Sequence, residues 1–158
     1  MSDDLYEHDL LLWSEHQVGL LRRVAAGERV NGIDWDHVIE EIADVGGAQL
    51  TAVHSLLRQV MIHLIKLHLS PRDTARAHWH DEIEAFIGAA EDRYVPSMAQ
   101  RLDLDRIWTR AKAQVAKSFP GDPAVATLPA QCPWAVQALL TGSHDTLLAA
   151  LAQSAGTP

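Results

Sequence analysis

Apolar residues return every three or four positions along most of this chain, and that period restricts it to helices. At roughly 100° per residue, Tyr6, Leu10, Trp13, Leu20 and Val24 fall on one stripe of a helix expected over 4–26. Asp4 followed by Glu7 would cap its start, and Gly27 would stop it. Asp9, His16 and Gln17 fall on the same stripe, so polar groups are expected where apolar ones belong. After the turn at Asn31-Gly32, Asp34 reads as the cap of a second helix with Trp35, Val38, Ile39, Ile42 and Val45 inward. Gly46-Gly47 is expected to end it. A third helix over 48–69 presents Val53, Leu57, Val60, Leu64 and Leu67, and Ser70-Pro71 stops it. A fourth over 74–95 turns Trp79, Ile83, Phe86, Ile87, Ala90 and Tyr94 inward. A fifth presents Leu104, Trp108, Val115 and Phe119.

Four prolines, Pro120, Pro123, Pro129 and Pro133, then interrupt any regular element. Residues 120–133 are expected to form a strap anchored by Trp134 and Cys132, followed by a short helix over 134–141 and a weak amphipathic tail over 147–151. The predicted architecture is all-α: a single-domain helical bundle of about five main helices over 1–152, with a proline-rich C-terminal strap, a short final helix and a flexible tail over 153–158. Trp13, Leu57, Val60, Leu64, Trp79, Ile83 and Phe86 are expected to share one core.

Composition narrows the functional classes. At 47% hydrophobic and 22% charged residues the chain is globular rather than disordered. Its apolar runs fall far short of the roughly 18 residues of a membrane span. The opening MSDDLYEHDL lacks the basic flank of a secretory signal, and one cysteine cannot cross-link the chain to itself, so a cytoplasmic protein is expected. The net charge of −8 is concentrated at the start: residues 1–50 carry 11 acids and 3 bases. The basic residues Arg58, Lys66, Arg72, Arg76, Arg101, Arg106, Arg110, Lys112 and Lys117 are diluted by acids. No nucleic-acid partner and no membrane association are therefore expected.

The order of landmarks is more specific than any one of them. Tyr6, Asp9 and Trp13 precede Leu20-Leu21-Arg22, Ile33-Asp34-Trp35 and Glu40-Glu41-Ile42 with Gly46. Met61-Ile62-His63-Leu64-Ile65-Lys66, Pro71, Trp79 and Cys132-Pro133-Trp134 follow. Over about residues 5–140 this series resembles a bacterial family catalogued as domain of unknown function twenty-nine. The family's Ser-Trp-x-x-Thr-Ile element appears here as His78-Trp79-His80-Asp81-Glu82-Ile83, without either hydroxyl. The resemblance implies a small all-helical bacterial protein and no assigned activity.

The residues carry one candidate reactive set. Asp9, Glu41 and His63 lie in or beside the apolar stripes of three expected helices, so a bundle could deliver two carboxylates and an imidazole to one seam, with Lys66 as electrostatic support. Such a set could hold a divalent metal and activate water in a hydrolase-like or acid–base enzyme. The competing reading is a buried structural network in which Asp9 meets Lys66, His63 or a hydroxyl. His54, His63, His68, His78 and His80 are spaced poorly for shared coordination, and His37 with Glu41 could clip a surface ion. Cys132 lacks a base beside it. With no phosphate-cradling glycine loop and no nucleophile elbow, the leading expectation is a non-enzymatic interaction module without a cofactor, acting through a protein partner or as a homo-oligomer.

Overall fold

A computed structural model describes residues 2–155. Every regular element among them is helical: α1 (Ser2–His8), α2 (Leu10–Ala25), α3 (Trp35–Leu69), α4 (Arg76–Glu91), α5 (Leu104–Ser118), α6 (Pro123–Ala126), α7 (Val136–Thr141) and α8 (His144–Ser154). A single 3-10 turn, Pro96–Met98, precedes α5. The chain divides into two compact units, Met1–Ala48 and Gln49–Pro158, and α3 runs through the boundary.

In the first unit the expected single helix over 4–26 is two. Asp9 leaves helical conformation at φ −150° and ψ 79°, and its carboxylate accepts the Leu12 N–H at 2.9 Å, so it caps α2. A short carboxylate competes well for the orphan amides at a helix start, which makes a break at Asp9 favourable where periodicity alone allowed continuation. Asp9 is consequently exposed, not inward. The side chains of the expected Asp4 cap lie outside the described residues. At the far end, Glu28 N–H bonds Arg23 C=O and Gly27 N–H bonds Val24 C=O, with Gly27 at φ 87°. This is the left-handed stop that glycine permits.

Gly46-Gly47, expected to end a helix, lie inside α3 rather than between two helices. Neither has a positive φ. Each costs about 1 kcal/mol relative to alanine in a helix. The following turns, from Val53 to Leu67, are buried in a core and hold the helix together across that weak point.

The second unit has an extensive core. Val53, Leu57, Val60, Met61, Leu64, Ile65 and Leu67 of α3 pack with Ile83, Ile87 and Ala90 of α4 and with Ile107, Trp108, Ala111 and Val115 of α5. Trp79 and Phe86 flank that core, whereas Trp13 is buried separately within the first unit.

The strap is ordered. Trp108 Nε1–H and the Lys112 ammonium both donate to Pro129 C=O at 2.8 Å, and Cys132 N–H donates to Asp105 Oδ1 at 2.7 Å. Trp134 is buried edge-on to Trp108 and donates through Nε1 to Leu147 C=O. One turn, α6, starts at Pro123 with Asp122 as its cap. The expected weak tail is a formed helix, α8, capped by Ser143, with Leu147 and Leu151 buried. Of the expected flexible tail, Gln153 and Ser154 belong to α8, and residues 156–158 lie outside the described residues.

Candidate functional site

The first unit is organised around a carboxylate, but that carboxylate is Asp34, not Asp9. Asp34 Oδ2 accepts from Trp13 Nε1–H at 3.1 Å and lies 2.8 Å from His37 Nδ1. Its own N–H donates to Gln17 Oε1 at 2.9 Å. That bond accounts for a glutamine on the apolar stripe of α2: Gln17 is buried because the entry of α3 supplies its partner. The Tyr6 ring stacks on His37 with centroids 3.8 Å apart and meets Trp13 edge-on at 4.9 Å. Its hydroxyl donates to Glu41 Oε1 at 2.8 Å, which, with burial second, pushes the phenol up to about 12. Beside this cluster Leu10, Leu11, Trp13, Ser14 and Glu41 line an open cleft of about 540 Å³.

The four sequence candidates therefore stand as follows. In the first unit, Asp9 caps α2 and Glu41 holds Tyr6. In the second, His63 is buried, its Nδ1 hydrogen-bonded to Gln59 C=O at 2.8 Å and its ring 5.6 Å from that of Phe86. Burial, the larger effect, lowers its pKa against that hydrogen bond. The Lys66 ammonium lies 5.9 Å from the Trp79 ring centre. Among the described residues, no three His, Cys, Asp or Glu side chains are grouped so as to hold a metal ion.

Asp34 and His37, three apart at the opening of α3, were the residues to find; the signal was an acid at a cap position with a ring one turn later. The sequence instead pairs His37 with Glu41 four residues on, yet His37 hydrogen-bonds Asp34 while Glu41 accepts from the Tyr6 hydroxyl. In the second unit His80 and His144 meet through their Nδ1 atoms at 2.8 Å, so one ring donates and the other accepts. Rings nearly coplanar and nitrogens this close leave room for a shared proton and none for a metal ion between them. Cys132 bonds Trp134 C=O through its thiol, and burial pushes that thiol up to about 11. A thiol so protonated is a poor nucleophile.

These features describe an all-helical protein with a polar–aromatic cluster in an acidic first unit and a large apolar core in the second. The chain belongs to the family described as domain of unknown function DUF29, which matches residues 5–144. It is also similar to an alpha-helical protein of unknown function from Rhodospirillum rubrum: 28% identical, with a TM-score of 0.69, over 92% of this chain and 96% of that one. No curated protein matches. Among the described residues, no helix is long and apolar enough to cross a membrane.

Proposed function

We propose that the protein is a non-enzymatic, cytoplasmic interaction module whose first unit receives a basic amphipathic helix of a partner protein. The observation that carries this reading is the exposed apolar stripe Trp35, Ile39, Ile42 and Val45 on the first turns of α3, each residue between 53% and 69% exposed. Leu11 and Val18 of α2 are exposed in the same unit. Clustered apolar surface of this kind is characteristic of interaction sites, whereas single exposed residues are ordinary.

Charge selects the occupant. Asp36, Glu40 and Asp44 occupy the remaining faces of the same turns of α3, and no Lys or Arg occurs between Gly32 and Leu57. Residues 1–48 hold 11 acids and 3 bases, while residues 49–158 hold 10 of each, so the whole net charge of −8 belongs to the first unit. A second copy would oppose −8 with −8, but a helix with an apolar face flanked by lysine or arginine complements both features.

The test uses a labelled amphipathic peptide of leucine and lysine, its leucine–glutamate counterpart, and the full chain. Fluorescence anisotropy is expected to show binding of the lysine peptide, weakened by salt and lost in Ile39→Ser/Ile42→Ser, with no binding of the glutamate peptide. Equal binding of the lysine peptide by that variant would overturn the reading. So would a dimer in sedimentation that the same two substitutions dissociate, because the stripe would then belong to a second copy.

A further inference from the structure

The second unit carries a separate feature of opposite sign. Leu50, Thr51 and His54 of α3 face Arg101, Asp103, Arg106 and Arg110 from the segment entering α5 and from α5 itself, around a cleft of about 300 Å³. Arg58 stands one turn beyond His54, and its Nε is buried without a hydrogen-bond partner among the described residues. Three guanidinium groups thus line the cleft with a fourth, Arg58, near His54, yet among the described residues none of the four has an ion pair. Asp103, the acid in the cleft, accepts the Arg106 backbone N–H at 2.9 Å as the cap of α5 and offsets only one of these charges, so an excess of positive charge remains.

Like charges gathered at one cleft repel, and an anion bound among them would relieve that repulsion. Chance placement does not account for it easily in a chain with eight more negative than positive groups, whose own carboxylates were available for pairing. The charge is also felt locally: burial first, then Arg110, Arg58 and Arg106, lowers the pKa of His54, against a smaller opposing effect of Asp103. This favours the neutral form of His54, which can donate or accept at the cleft wall.

We infer that this cleft binds a small phosphate ester, its phosphate held by Arg101, Arg106 and Arg110 with Thr51 as a hydroxyl donor. Guanidinium forks match the geometry of phosphate oxygens and engage them two at a time. A volume of about 300 Å³ lies at the lower end of small-molecule sites, so the ligand is of small-metabolite size and Leu50 offers its non-phosphate part an apolar contact. This inference is independent of the docking face on the first unit and stands or falls without it.

The experiment is calorimetric titration and thermal melting of the full chain with pyrophosphate, inorganic phosphate and glycerol phosphate, with acetate as a singly charged control at matched ionic strength. Phosphate compounds are expected to bind and to raise the melting temperature, and acetate is not. A gain for glycerol phosphate over inorganic phosphate assigns the site to an ester; equal binding would overturn the ester and leave a free-phosphate site. Arg106→Gln/Arg110→Gln should weaken binding by on the order of tenfold or more. Both side chains are exposed, so the unliganded variant should melt no lower than the wild type, since like-charge repulsion is removed. Arg101→Gln, in the segment before α5, provides an independent variant with the same expectation. Unchanged binding in both variants, or equal shifts with acetate, would overturn the inference. Tighter, arginine-dependent binding of a single-stranded oligonucleotide than of any small phosphate would also overturn it, in favour of a nucleic-acid surface.

Discussion

Within α3 the same apolar period meets two different surroundings. From Val53 to Leu67 the stripe is the centre of a core, with Val53, Leu57, Val60 and Leu64 fully buried. From Trp35 to Val45 the stripe continues at the same helical angle, but Trp35, Ile39, Ile42 and Val45 face solvent while only Val38 is buried. A hydrophobic period specifies which face of a helix is to be covered and leaves open what covers it. In the second half the cover comes from α4 and α5. In the first half it is absent from the chain's own first unit, which is why that half is read as an interaction face.

The sharpest way to break this comparison is Leu64→Ala. If the second half of α3 is core, the substitution removes buried methyl groups and leaves a cavity, at a cost of about 2–5 kcal/mol. Urea denaturation followed by circular dichroism measures it, and a loss under about 0.5 kcal/mol would place Leu64 on a surface.

The first unit is held instead by polar geometry, and Asp34→Asn tests that. The amide keeps the shape but weakens the bonds from Trp13 Nε1–H and with His37, so a loss of about 1–3 kcal/mol is expected. The near-ultraviolet signal of Trp13 should change with it. An unaltered melt would mean that Asp34 is not the organiser of the cluster.

Much of this was legible in the residues. The helical class, the inward faces of α4 and α5, and the anchoring of the strap by Trp134 all follow from period, proline placement and the size of an indole. The failures share a cause. At Asp9, at Gly46-Gly47 and along the stripe at Ile39 and Ile42 a local signal has two outcomes, and what packs nearby decides between them. A polar residue on an apolar stripe can be a buried network or a helix break, and Asp9 is the break while Gln17 is the network. A glycine pair can stop a helix or ride in one, and the choice was made by the buried turns that follow. The Asp34–His37 pair is local, three residues apart, but the cluster around it was not legible because Tyr6 and Trp13 reach it from α1 and α2.

The glycine pair provides the next, smaller test. A Cβ added at Gly46 or Gly47 would meet nothing within 4 Å, and both backbones are helical. Gly46→Ala and Gly47→Ala should therefore each stabilise the protein by about 0.5–1 kcal/mol, through lower unfolded-state entropy and better helix propensity. Denaturant midpoints measure the gain. If the pair were a break between two helices, as the dipeptide itself suggests, alanine would give no gain or a loss.

The smallest expected effect is also the most direct statement about the exposed half. Ile42→Ser removes a whole apolar side chain from the same stripe that Leu64 occupies 22 residues later. In a core that change would be ruinous. Here Ile42 is 69% exposed, isoleucine and serine have similar helix propensities, and no cavity is left behind. Stability should stay within about 0.5 kcal/mol of the wild type. A loss of several times that size would mean that Ile42 is already covered, by a second copy in solution, and the concentration dependence of the melt would reveal it. An unchanged melt together with lost peptide binding would separate the two halves of α3 as the comparison requires, one half contributing stability and the other recognition.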